Sequence, residues 1–504
     1  MGTLPRSLRV LDLPRCRQFN HLLGCLPLAL RELRLGAAFN QPLLHAPLPA
    51  AQGQQAAAQA LCAGLAAEPL QPPPDTLVRL PETLTELHVG EAFDHPLGPL
   101  PESLTELQVG GCSGDSCFSH ALGPLPAALR ILDLGVCAAY NHALYGLPDT
   151  LRSVCLGHMG DQPLLHFPAR LEVLALGDSF DAALPAVLPR TLRELYLGNR
   201  FNAPLTLPPG LNLLAIGDRY PHRLDLAALP LKKLYLRVGR CSCDCCFSHA
   251  LGPLPAALRI LDLSTCAMYN HALSSLPDTL RELRLDSDFD QPLPQLNACL
   301  EVLALGDAFD AALPAVLPRA LRELHWGNGF NAPLTLPPRL KVLTIGISYT
   351  HRLDLAALSL KELRVGRSYA NALPPLEVLT LSSGGYMRLN LTLGALPHSL
   401  ETLDTTCFAN FSSALGQLPE SITCLNLGAS FNQALEALPA ALTELRIHNG
   451  TPWGNCSFNK PLGTVPPSLR TLDLDQCCRF NHLLGRLPRT LRKLRLGAAF
   501  NQPL

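Results

Sequence analysis

Cys241-Ser242-Cys243-Asp244-Cys245-Cys246 puts four soft ligands within six residues, and thiolates in that number can hold a zinc ion. A metal knuckle normally spaces its cysteines as C-x-x-C, which lets the backbone turn around the ion; C-x-C-x-C-C does not. The related stretch Cys112-Ser113-Gly114-Asp115-Ser116-Cys117 keeps only the outer pair. The segment therefore reads as a variable loop, with a redox-active pair or a metal site of Cys241, Cys243, Cys245 and Cys246 as the alternatives. Histidines form a second pattern: His21, His120, His142, His249, His271 and His482 each follow an aromatic residue by two positions. Stacked imidazoles can bind metal, but Gln41 and Ala203 fill the same slot elsewhere, so surface decoration is the reading. Asn390, Asn410, Asn449 and Asn455 begin N-x-[ST] sequons, glycan acceptors if the chain is secreted. The sequence has no P-loop, G-x-S-x-G, H-E-x-x-H or dinucleotide fingerprint, so no enzyme and no cofactor is expected.

The elements that must position these residues come from a repeat. Leu30–Leu43 reads LRELRLGAAFNQPL and Leu491–Leu504 reads LRKLRLGAAFNQPL. Between them the pattern L-P-x-x-L-x-x-L-x-L-G-x-x-[FY]-[ND]-x-[PA]-L recurs, giving about 22 units of roughly 20–22 residues. On top of this, Phe118–Leu205 recurs as Phe247–Leu334, a block copy that a solenoid tolerates because each unit touches only its neighbours. Within a unit, Leu33 and Leu35 are two apart and point to one face of an extended strand, while Glu32 and Arg34 point to the other. The following Gly permits a sharp bend, and the Leu-Pro pair suits a corner. The stretch back to the next strand is short and rich in Pro and Gly, too little for a full helix. The expected fold is an all-β, leucine-rich-repeat-like solenoid with one parallel sheet, few helices, and short strand, 3₁₀ turn or extended chain on the other side. Repeats occupy 1–43 and 79–504, interrupted by an Ala/Gln/Pro-rich insert at 44–78 that reads as a low-complexity loop.

Phe39-Asn40-Gln41-Pro42-Leu43 and Phe500-Asn501-Gln502-Pro503-Leu504, with one-change variants at Phe201–Leu205 and Phe431–Leu435, resemble the FNIP repeat family, a relative of the leucine-rich repeats. The resemblance spans nearly the whole chain apart from the insert. It implies an architecture and a role in protein interaction, and it supplies no catalytic residue. The F-box and kinase segments that some members carry are not found here. Cys16, Cys137, Cys266 and Cys477 match the [NC] slot of the broader leucine-rich pattern, which implies that they turn inward and bond the backbone of the bend.

Lys+Arg 40 against Asp+Glu 41 gives a formal net charge of −1. That balance argues against nucleic acid or an anionic membrane as partner. Apolar residues reach 48%, yet no uninterrupted apolar run approaches a membrane span. The opening MGTLPRSLRVLDL has no signal-peptide core and departs from the myristoylation pattern at Arg6. The chain as given therefore reads as cytoplasmic, with its 18 cysteines mostly thiols. It starts almost on a strand and stops in mid-unit, the pattern of a piece of a longer chain.

The outward slot between the last two inward residues of each strand runs through acids, bases, amides and aromatics. Arg34, Tyr196, Tyr235, Arg284, His325 and Arg364 are the candidate contacts for a protein partner, with Trp326 in the adjoining inward slot. The expected function is a non-enzymatic scaffold presenting this surface. The alternatives are an extracellular adhesion glycoprotein and the substrate-reading part of a ubiquitin-ligase-type adaptor.

Overall fold

A computed structural model describes residues 4–13, 19–23, 25–43, 80–110, 118–137, 139–144, 146–157, 164, 166–217, 220–237, 249–266, 269–314, 316–355, 358–365, 376–381, 396–406, 415–435, 437–448 and 456–502. The 44–78 insert, the Cys241–Cys246 cluster and the four sequon asparagines lie outside them.

The chain forms two compact units, 1–247 and 248–504. In the first, the strands are β1 (Val10–Asp12), β2 (Glu32–Arg34), β3 (Glu86–Val89), β4 (Glu106–Val109), β5 (Ile131–Leu134), β6 (Ser153–Leu156), β7 (Val173–Leu176), β8 (Glu194–Leu197), β9 (Leu213–Ile216) and β10 (Lys233–Arg237). In the second they are β11 (Ile260–Thr265), β12 (Glu282–Arg284), β13 (Val302–Ala304), β14 (Glu323–His325), β15 (Val342–Ile345), β16 (Glu362–Val365), β17 (Val378–Leu381), β18 (Thr402–Asp404), β19 (Cys424–Leu427), β20 (Glu444–Ile447), β21 (Thr471–Leu474) and β22 (Lys493–Leu496). Within each unit every strand pairs in parallel with the next. No helix, α or 3₁₀, occurs among the described residues; the side opposite the sheet is turns and extended chain with one parallel bridge, Ala437 to Thr464.

The core follows from the period-two strand. Leu33, Leu87, Leu107 and Leu132 lie side by side across β2 to β5 and are fully buried. Each such leucine is worth about 1.5–3 kcal/mol of apolar burial. The β2–β3 pair is in strict register although 54 residues separate Glu32 from Glu86, so the insert interrupts the sequence without interrupting the sheet.

The Leu-Pro corner is a β-turn opened by the proline. Leu84 N–H donates to the Pro81 carbonyl at 3.0 Å, and the same bond recurs at Leu30, Leu104, Leu151 and Leu280. The next two N–H groups, those of Thr85 and Glu86, both donate to the Arg31 carbonyl of the preceding coil and lead the chain into the sheet. The Ser or Thr in the turn adds a further link between coils. Thr150 Oγ1 lies 2.6 and 2.7 Å from the carbonyls of Ala127 and Leu129.

The glycine after the strand is needed chiefly for space. At Gly177 and Gly306 φ is not positive, but a Cβ would overlap the carbonyl of Gly157 or Asp286 on the preceding coil. Backbone on backbone is the reason at these two positions, while Gly110 after β4 takes the sharp bend expected from sequence, with a φ of +98°.

Behind the glycine the aromatic slots stack. Phe39, Phe93, Phe118 and Tyr140 sit with ring centroids 6.0–6.3 Å apart and nearly parallel planes. In the second unit, Tyr269, Phe289, Phe309, Phe330 and Tyr349 stack in turn with centroids 6.1–6.4 Å apart. Burial pushes the Tyr140 and Tyr269 hydroxyls up to about 12, partly offset by the backbone of Leu122 and Leu251. The residue after the aromatic forms a ladder. Asn20 Oδ1 accepts from Asn40 N–H (2.8 Å), Asn40 Oδ1 from Asp94 N–H (3.0 Å), and Asp94 Oδ1 from Ser119 N–H (2.9 Å). Asn270 to Asp290 and Asn481 to Asn501 repeat it in the second unit. Only an acceptor oxygen is used, which is why Asn and Asp interchange. At Asp94, burial pushes the carboxyl up, but the bonds from Ser119 and the nearby His120 and His95 outweigh it and hold the group below its ordinary value.

Candidate functional site

The histidine column belongs to this ladder. Nε2–H of His120 donates to the Asp94 carbonyl at 3.1 Å, that of His142 to Ser119 at 2.7 Å, and that of His482 to Asn459 at 3.2 Å. Each ring also stands edge-on to the aromatic two residues before it, with centroids 5.6–6.1 Å apart. His95, His222 and His351 do the same and escaped the sequence pattern. The column thus ties successive coils together through Nε2 of each of these rings.

The inward cysteines behave as the leucine-rich resemblance implies. Cys137 Sγ donates to the Val109 carbonyl at 3.1 Å, and Cys477 Sγ reaches the Ile447 carbonyl at 3.5 Å. Cys266 is likewise fully buried, and Cys16 lies outside the described residues.

Strand register decides which outward residues meet. In the first unit the column runs Asp12, Arg34, His88, Gln108 and Asp133 across β1 to β5. It then becomes Cys155, Ala175, Tyr196, Ala215 and Tyr235 across β6 to β10. Tyr196 and Tyr235 therefore flank Ala215, and both outward residues of β9, Leu213 and Ala215, are buried at 8% and 3% exposure. Tyr196 is oriented by its hydroxyl, which donates to Glu194 at 2.9 Å. Arg34 sits in the charged half, paired with Glu86 at 3.0 Å and Glu32 at 3.3 Å.

In the second unit Arg284, His325 and Arg364 share the column on alternate strands β12, β14 and β16, separated by Ala304 and Thr344. Each arginine turns back along its own strand, Arg284 to Glu282 at 2.5 Å and Arg364 to Glu362 at 2.6 Å. His325 is half-buried against Thr344 Oγ1 at 2.7 Å. Burial lowers its pKa, aided by the positive charges of Arg284 and Arg364 and opposed by Glu323. Trp326 is core, 1% exposed and tilted between Phe330 and Tyr349.

Among the described residues one set has metal-ligand geometry. Glu86, His88 and Glu106 bring three ligand atoms within 4.8 Å of one another. Sequence reasoning missed it because Glu86 and Glu106 come together only through the β3–β4 register. The carboxylates are already engaged, Glu86 by Arg34 and Glu106 by His88 at 3.0 Å.

Repeat period, inward leucines and acceptor ladder together define the architecture, and the FNIP Repeat family profile matches residues 414–450, which contain β19, Phe431-Asn432 and β20. The chain is a repeat protein of leucine-rich-repeat-like fold, and its residues 414–450 match the FNIP repeat. Among solved structures this repeat protein is similar to CroV588, described as a novel circular LRR protein. The two are 24% identical over 99% of this chain and 80% of that one, with a TM-score of 0.55. YopM from Yersinia enterocolitica aligns over 97% of this chain and 92% of its own at 20% identity, with a TM-score of only 0.37. No curated protein matches the sequence. No helix among the described residues is long and apolar enough to cross a membrane.

Proposed function

We propose that this repeat protein is a non-enzymatic scaffold that holds a protein partner on the outward face of its parallel sheet. Repeat scaffolds of leucine-rich type are commonly used for protein interaction and are typically non-enzymatic. The observation that carries the reading is the aromatic pair of the first unit. Tyr196 and Tyr235 stand on either side of a buried alanine, on strands that both pair with β9. Rigid tyrosines on a fixed frame offer large contact area at small entropic cost, which is how binding hot spots are made. The outward arginines contribute less, because Arg34, Arg284 and Arg364 are already paired with glutamates and an exposed ion pair is worth about 0–1 kcal/mol.

The test is capture of partners from the source cell's lysate by the intact chain and by Tyr196→Ala/Tyr235→Ala, with circular dichroism showing that both fold. A partner held by the first and lost by the second supports the sheet face. Equal retention moves binding to the loops or to the 44–78 insert.

A further inference from the structure

Cys456 and Cys477 lie on successive coils, one before the aromatic Phe458 and the other three residues after β21. Both are buried, at 3% and 0% exposure. Their sulfurs converge on one acceptor, the Ile447 carbonyl, at 3.7 and 3.5 Å, which places the two thiols beside each other. The backbone beside them is pinned as well, since Cys456 N–H donates to the Gln476 carbonyl at 2.9 Å.

The coil-to-coil contact does not require a second cysteine. In the first unit Cys137 makes the corresponding bond, to the carbonyl of Val109 at 3.1 Å, and the sequence has Ser116 where the second unit has Cys456. The cysteine pair nevertheless occurs twice in the sequence at the same spacing, as Cys456 with Cys477 and as Cys245 with Cys266. A residue that packing does not demand, placed in contact with a thiol, points to thiol chemistry.

We infer that Cys456 and Cys477 form a redox-modification site that closes into a disulfide between adjacent coils by exchange with a low-molecular-weight disulfide such as oxidised glutathione. The Cys456 thiolate attacks one glutathione sulfur and expels the first glutathione thiolate. The Cys477 thiolate then attacks the Cys456 sulfur of the mixed disulfide, forming the Cys456–Cys477 bond and expelling the second. The protein pair is oxidised by two electrons, one glutathione disulfide is reduced, and the two thiol protons end on two glutathione thiols. The contact with Cys477 holds the Cys456 thiol below its usual range against the opposing effect of burial, while the same contact and burial push Cys477 up.

The experiment uses the full chain, folded, incubated with oxidised glutathione or with dithiothreitol. Free thiols are then alkylated under denaturing conditions and unreduced peptides are mapped by mass spectrometry. The expected result is a peptide pair joined through Cys456 and Cys477 in the oxidised sample, lost on reduction and absent from Cys456→Ser. Alkylation of both residues in the oxidised sample would overturn the inference. So would a stable glutathione adduct without the cross-link, or pairing of Cys456 with a different cysteine. The variant carries the residue found at Ser116 and is expected to fold; if it does not, mapping of the unsubstituted chain decides by itself.

Discussion

Strands β8 and β14 hold the same place in the two copies of one duplicated block, yet they differ on both faces. Outward, β8 shows Tyr196, bonded to Glu194 of its own strand, where β14 shows His325, half-buried against Thr344 of the next strand. Inward, Leu197 in the first copy becomes Trp326 in the second, both buried. The inward positions around them correspond. Leu195 and Leu324 are fully buried at the strand centre, and Phe201 and Phe330 continue their aromatic columns. The difference teaches that ladders, glycines and stacked rings hold each coil, so single side chains can change without moving the frame. Trp326 is accommodated by tilting against Phe330 and Tyr349, although its indole N–H finds no acceptor among the described residues.

The most severe way to break the two copies is the glycine where backbones touch. Gly177→Ala and Gly306→Ala each force a methyl group into a carbonyl of the preceding coil, and each should cost about 3 kcal/mol, seen as a lower urea midpoint. A mild effect at only one of them would mean that the copies are held differently. Exchanging the inward residues sharpens the comparison. Leu197→Trp should cost about 1–3 kcal/mol by overpacking. Trp326→Leu should cost less, because the N–H it removes has no acceptor; equal losses in thermal melts would contradict that account.

Gly252 has a φ of +66°, while Gly123, its counterpart in the first copy, is not left-handed and has open space where a Cβ would stand. Gly252→Ala should therefore cost about 1 kcal/mol and Gly123→Ala should stay within about 0.5 kcal/mol, again by denaturant midpoint. The gentlest probe is pH. His325 is held neutral in the folded chain, its pKa lowered first by burial and further by Arg284 and Arg364. The unfolded chain therefore takes up the proton more readily. The stability from this residue is present above the ordinary value of 6.5 and is lost as pH falls below it. His325→Tyr, which installs the first copy's residue, should flatten the dependence of melting temperature on pH between about 7 and 5. An unchanged slope would place the acid sensitivity elsewhere.

The period of two in Leu33 and Leu35 and the corner at Leu-Pro could be read from sequence, because each depends on residues close together in the chain. The inward turn of Cys137 and Cys477 came instead from the leucine-rich resemblance and is made by bonds 28 and 30 residues long. Trp326 was legible as an inward position by the same period of two. The role of the Asn40 ladder and of the His120 column was not, because donor and acceptor there lie 20 or more residues apart. The meaning of Gly177 also stayed hidden, since a glycine before a turn suggests bending unless the coil beneath it is known. Of the candidate contacts, register brings Tyr196 and Tyr235 to either side of Ala215, and shows Arg34 occupied by Glu86 on the next strand. No spacing along one repeat carries that information.

The strict pairing of Glu32 with Glu86 and the bond from Asp94 to Asn40 have a practical consequence. The frame closes between Leu43 and Leu80 whatever length of chain runs between them, and the entropic cost of a longer path grows only by about 0.6 kcal/mol per doubling. That junction is a ready cassette position: a reporter or a foreign domain could be spliced there while every described coil-to-coil bond on either side keeps its partner.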